Sequence, residues 1–204
     1  MGSTRESCRS LRPPLGGIWH DGERMNDALL VVDVLNDFRH EDGARLAESF
    51  RAVHPQLREV LSSSREANLP IIYANDHFGD WTADDDAIVD RALAGVCGDL
   101  IPPIAPRQDD IFLIKPGYSA FGDTPLRLVL ADLSIERLVL AGTALEMCVV
   151  QTAIAARERG LKVSIMVDAC ASVSWEDAEI ALEYVSRVAG ARLCRGPSRA
   201  GSRP

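Results

Sequence analysis

Short, almost uninterrupted apolar runs recur along the chain, and each gives way to a longer stretch with helical spacing. No other feature constrains the fold as much. "ALLVVDV" (28–34) reads as a strand buried on both faces. "PIIYAND" (70–76), "DIFLIK" (110–115), "RLVLAG" (137–142) and "KVSIMVDA" (162–169) repeat the pattern, and "ARLC" (191–194) is a short sixth run. Between them the spacing predicts helices over 44–68, 84–94, 123–135, 146–160 and 174–189. Pro55 is expected to bend or restart the first of these, because proline lacks the N–H that continues a helix. Asp123 or Thr124 is expected to cap the third, with Pro125 in its first turn.

Strand–helix alternation of this kind specifies a three-layer α/β/α sandwich around a mostly parallel, Rossmann-like sheet. The 204 residues suffice for one such domain, which buries roughly 70% of the surface of its unfolded chain. We expect the domain to span 26–195. Residues 1–25 and 196–204, polar and rich in Arg, Pro and Gly, are expected to be disordered extensions. A net charge of −8 argues against a general nucleic-acid or anionic-membrane partner. No apolar run approaches the roughly 18 residues of a membrane span. Five widely spaced cysteines form neither a disulfide framework nor a zinc motif, which points to a reducing, cytoplasmic location.

In open α/β sheets, ligands bind beyond the carboxyl ends of the strands. The first run ends at Asp33, the third at Lys115, and Cys148 follows the fourth where a helix begins. Each has a plain structural alternative: an Asp accepting bonds from a turn, a solvated Lys, a small buried Cys. Asn36 and Asp37 suit turn and cap roles. Together, however, Asp33, Lys115 and Cys148 supply a base, a cation and a nucleophile. A helix N-terminus and a nearby lysine would lower the thiol pKa, whereas an adjacent carboxylate opposes thiolate formation but can accept its proton.

"LLVVDVLNDF", "IIYANDHFGDW", "LIKPGYSAFGDTPL", "LVLAGTALEMCVVQTAIAARERG" and "VSIMVDACAS" stand in an order and spacing that resembles the isochorismatase-like cysteine hydrolases. The resemblance covers about 26–194. It implies a six-stranded parallel sheet and an Asp33–Lys115–Cys148 catalytic triad acting on a small-molecule substrate. It further implies a cis peptide at Thr143–Ala144 and an oxyanion hole made by the Ala144 and Cys148 N–H groups. A homo-oligomer, dimer or tetramer, is expected on the same ground.

The chain also departs from the family pattern. Many members carry Gln where Leu35 stands, and Thr followed by Asp or Asn where Leu145 and Glu146 stand. The nicotinamidase branch binds a metal through Asp-x-His, but Asp76 and His77 are adjacent here and the other histidines are His20, His40 and His54. No metal and no cofactor is therefore expected.

Phe38, Trp81, Tyr118 and Phe121 follow strand ends in a chain that is only 5% aromatic. They are expected to line an apolar substrate pocket. The leading expectation is hydrolysis of a small carboxamide or related C–N bond through a Cys148 thioester. The alternatives are a vinyl-ether hydrolase using Asp33 as acid, or a member that binds a small ligand without turnover.

Overall fold

The computed structural model describes residues 26–195; the expectations for 1–25 and 196–204 lie outside the described residues. Six strands form one parallel sheet: β1 Asp27–Val32, β2 Ile71–Asp76, β3 Ile111–Lys115, β4 Arg137–Gly142, β5 Lys162–Cys170 and β6 Arg192–Cys194. Their order is β3-β2-β1-β4-β5-β6. The chain winds outward from β1 to β3, then returns to β4 on the other side of β1. The order therefore reverses between β1 and β4, where such sheets hold ligands.

Five α-helices connect the strands: α1 Gly43–Glu66, α2 Asp85–Leu93, α3 Leu126–Asp132, α4 Val150–Glu158 and α5 Trp175–Arg187. The side chains of β1 show why the run is apolar throughout. Leu29 and Val31 pack with Leu46, Phe50 and Leu57 of α1. Ala28, Leu30 and Val32 enter the opposite core with Leu130 of α3, Ala153 of α4 and Leu182 of α5. Strand alternation thus feeds two cores from one sequence run. No described helix is long and apolar enough to cross a membrane.

At the amino end of the sheet, Arg137 Nε donates to Asp27 Oδ1 at 2.9 Å, both residues being buried. Asp27 and Arg137 are partners in the β1–β4 register. The ion pair therefore pins the two strands whose other ends carry the candidate site.

Three local expectations are corrected. α1 runs on through Pro55 and does not restart there. Pro55 and Arg51 are both exposed, so water can serve the Arg51 carbonyl that loses its N–H partner. Leu46, Phe50, Leu57 and Leu61 meanwhile anchor the helix on both sides of the proline. α3 starts later than expected, with Pro125 at its cap; Thr124 Oγ1 accepts from the Leu126 N–H at 3.2 Å. The segment ahead of α4 is a π-helical turn, Leu145–Val149, in which the Val149 N–H reaches back to Ala144 O at 3.3 Å.

Replacing Pro55 by alanine restores an N–H opposite the Arg51 carbonyl. We expect about 1–3 kcal/mol of added stability. It should be read as a higher urea midpoint at unchanged m-value. An unchanged or lower midpoint would mean that α1 has adapted to the ring.

Candidate active site

β1 ends at Val32, and Asp33 takes a left-handed conformation with φ 50°. Few non-glycine residues do so without a reason. Asp33 is held from three sides. Its N–H donates to Ala74 O at 3.0 Å, its carbonyl accepts from Thr143 Oγ1 at 2.8 Å, and its Oδ1 accepts from the Asp76 N–H at 2.8 Å. Its Oδ2 lies 2.7 Å from Lys115 Nζ.

Lys115 ends β3 and is fully buried, with 0% exposure. This rules out the solvated alternative. Because β2 lies between β3 and β1, the ammonium must cross the end of β2, a span of about 10 Å between outer strands. It donates to Gly117 O at 2.8 Å and lies 3.7 Å from Cys148 Sγ. Cys148 sits in the π-helical turn after β4, half-buried, with its thiol facing Lys115 and near enough to Asp33 to feel its charge. Three strand ends thus converge on one cluster.

Gly142 makes the exit from β4 possible. Its φ is 137°, and a side chain there would collide with the Val32 carbonyl oxygen. The following Thr143–Ala144 peptide is cis. Leu145 N–H donates to Ala171 O at 2.8 Å, and Ala171 N–H donates to Gly142 O at 2.9 Å.

Burial dominates the electrostatics. It pushes the Cys148 thiol up to about 12, the Asp33 carboxylate adds to the rise, and Lys115 only partly offsets it. Lys115 lowers this pKa and Asp33 opposes it, both as expected; desolvation of the thiolate, which outweighs Lys115, was not anticipated. Burial likewise raises the Asp33 carboxyl against the pull of Lys115, Cys148 and the Asp76 N–H. Burial works against the Lys115 ammonium, yet Asp33, Cys148 and Asp76 together outweigh it and hold the ammonium up. The resting cluster is a protonated thiol and a carboxylate gathered about one buried ammonium.

The four aromatic residues do not form one wall. Phe38 is buried in the α1-side core, 5.1 Å from the Phe50 ring centroid. Phe121 is buried in the opposite core, with the Arg159 guanidinium 4.7 Å over its ring. Trp81, 79% exposed, packs on the His77 ring at 4.3 Å, and Tyr118 is exposed beyond β3. Phe38 and Phe121 came to notice because they follow strand ends, but their hydrophobicity is spent on packing.

Among the described residues, no three His, Cys, Asp or Glu side chains come together to hold a metal ion. Asp76 and His77 do not fit such a role as a pair. Asp76 Oδ1 is taken by the Phe78 N–H at 2.6 Å, and the His77 ring lies against Trp81.

Two supporting side chains escaped the sequence reading. Asn75, almost fully buried, accepts from the Leu35 N–H and donates to Leu35 O, both at 3.1 Å, fixing the loop just after Asp33. Thr143 holds the Asp33 carbonyl, as above. The available signal was a polar amide inside an apolar strand, since a buried polar group needs a partner. Asn36 and Asp37 fill turn roles, accepting from the N–H groups of Phe38 at 2.7 Å and Arg39 at 3.0 Å.

The Isochorismatase domain model matches residues 27–195. The chain belongs to the isochorismatase family of hydrolases. It is 36% identical over 170 residues to the isochorismatase family protein YaaI of Bacillus subtilis, covering 83% of this chain and 94% of that one. Its fold is similar to that of an N-carbamoylsarcosine amidase from Thermoplasma acidophilum, at TM-score 0.68 and 27% identity over 87% of this chain and 100% of that one. It is also similar to the nicotinamidase PncA from Bacillus subtilis, at TM-score 0.67 and 27% identity over 83% of this chain and 99% of that one.

Because the Asp33 charge helps to keep the proton on sulfur, removing that charge should release it. We expect Asp33→Asn to alkylate at Cys148 about tenfold faster than wild type at pH 9, the effect of one pKa unit. Iodoacetamide labelling of the Cys148 peptide against pH checks this. Equal profiles would show that the two groups are not coupled.

Proposed function

We propose that the protein hydrolyses the C–N bond of a small carboxamide through a thioester on Cys148. The observation that carries this reading is one buried ammonium, Lys115, lying 2.7 Å from the Asp33 carboxylate and 3.7 Å from the Cys148 thiol. The names of the similar amidase and nicotinamidase structures support the bond type.

The proposed reaction runs in two halves. In the first, Cys148 Sγ attacks the substrate carbonyl carbon while its proton passes to Asp33. The C–N bond then breaks, Asp33 gives that proton to the leaving nitrogen, and an acyl thioester remains. In the second, Asp33 takes a proton from water as the water oxygen attacks the thioester carbonyl. The C–S bond breaks, the proton returns to sulfur, and a carboxylic acid leaves. No standing thiolate is required, which fits a thiol held at about 12. Lys115 stabilises the negative charge as it forms on sulfur and keeps Asp33 ionised between steps.

The Ala144 and Cys148 N–H groups are assigned to the developing oxyanion. One such donor is typically worth about 3 kcal/mol. Trp81 and Tyr118, exposed beyond β2 and β3, are assigned to the acyl group of the substrate. Phe38 and Phe121 contribute through packing beneath the site.

A panel of small primary amides and N-carbamoyl compounds, assayed for ammonia release, tests this reading. Cys148→Ala and Asp33→Asn should each lose at least about 10³-fold in kcat. Acid-quenched wild type should carry the acyl mass on the Cys148 peptide. The acid limb of kcat/KM should lie above pH 3.8, because the base must be ionised and its carboxyl is raised. Normal turnover by Cys148→Ala would remove the thioester and favour acid catalysis by Asp33.

A further inference from the structure

Glu146 precedes the nucleophile by two residues, and the reaction as proposed gives it no task. Its side chain leaves the π-helical turn and crosses to the segment that joins β5 to α5. There Glu146 Oε1 accepts from the Val173 N–H at 2.8 Å and from the Ser174 N–H at 3.2 Å. Ser174 caps α5, its hydroxyl accepting from the Asp177 N–H at 3.3 Å. The carboxylate therefore sits at a helix N-terminus, where the oriented amides favour negative charge, and both bonds are charge-assisted.

The receiving segment is itself anchored. Ser172 N–H donates to Ser49 Oγ of α1 at 3.0 Å. Ala171 exchanges backbone bonds with Gly142 and Leu145 on either side of the cis peptide. Residues 171–174 thus form a fixed abutment, and the Cys148 turn is tied to it at Gly142, Leu145 and Glu146. Of these ties, that of Glu146 is made by a side chain and lies nearest the thiol.

We propose that Glu146 is a positioning residue that holds the Cys148 turn against the 171–174 segment, keeping Sγ in contact with Asp33 and Lys115. The consequence for turnover rests on the reading of Cys148 as nucleophile; the geometric claim does not. Charge strengthens the bridge, but its geometry is set by reach and by one acceptor oxygen that takes both N–H groups. Glutamine keeps the reach and the oxygen. Aspartate keeps the charge but is one methylene too short for both N–H groups.

The thiol gives a readout with a distinctive sign. In place, it is held high by burial and by Asp33. A turn released from its abutment draws the thiol away from both Asp33 and Lys115, whose effects oppose each other, and exposes it to water; burial is the largest cause of its raised pKa, so the thiol becomes more acidic. Iodoacetamide labelling of the Cys148 peptide at pH 8 should therefore rise about tenfold or more in Glu146→Ala, for a fall of at least one pKa unit. Hydrolysis, by contrast, should fall with KM little changed.

Glu146→Gln should stay within about threefold of wild type in labelling, whereas Glu146→Asp should label as Glu146→Ala does. A merely structural loss of stability would lower the melting temperature of all three without this ordering. Wild-type labelling in both Glu146→Ala and Glu146→Asp would overturn the proposal. So would a Glu146→Gln that labels as fast as Glu146→Ala beside a quiet Glu146→Asp, since charge and not the bridge would then be at work. Should Glu146→Ala fail to fold, the Gln and Asp pair decides alone. Labelling needs no substrate, so turnover surviving in Cys148→Ala would sink the nucleophile reading without touching this result.

Discussion

An ammonium with no solvent exposure is the demand that organises this molecule. Stripping Lys115 of water costs several kcal/mol unless close partners replace it. Its partners are the Asp33 carboxylate at 2.7 Å, the Gly117 carbonyl at 2.8 Å and the thiol of Cys148. Asp33 in turn is buried and must be fixed from several sides. The β2 backbone supplies the Ala74 carbonyl and the Asp76 N–H, and Thr143 supplies a hydroxyl. The sheet order β3-β2-β1-β4 follows the same line. It sets the cation, the amide, the carboxylate and the thiol along one edge. The ion pair of Asp27 with Arg137 steadies β1 and β4 from the far end.

The same burial decides where the proton rests. The lysine beside this thiol favours its ionisation, yet desolvation and the carboxylate outweigh it. Asp33 carries the negative charge nearest the ammonium, and Asp76 adds to it. A thiol pushed up to about 12 is expected to react slowly with electrophiles at neutral pH. In the proposed reaction the nucleophile forms only as the thiol proton passes to Asp33, at the moment a carbonyl is there to receive the sulfur. Preorganised charges of this kind need little rearrangement during reaction.

The sheet was legible because a strand buried on both faces must be apolar at nearly every position, and β1 feeds both cores residue by residue. The convergence of Asp33, Lys115 and Cys148 was legible because ionisable residues at the ends of such runs need a reason to be there. What was hidden depends on contacts distant in sequence. The continuity of α1 at Pro55 comes from burial on either side of an exposed ring. The π-helical turn reflects ties to residues 171–174, which no local spacing encodes. Phe38 and Phe121 misled for a related reason. An aromatic beside a strand end can turn into the core or out toward the mouth, and sequence does not say which.

The departures from the family pattern take on a physical meaning in this light. Leu35 and Leu145 are fully buried, one in each core, so their side chains pack and leave polar work to others. At Leu35 the backbone is held by the Asn75 amide from the neighbouring strand. At Leu145 the backbone is held by Ala171, and the adjacent Glu146 reaches past it to the start of α5. At both leucines the loop backbone already has a partner, the Asn75 side chain in one case and the Ala171 backbone in the other. A side chain beside such a turn can be apolar when the backbone it would steady is held from elsewhere, because the buried N–H and C=O groups are then already satisfied.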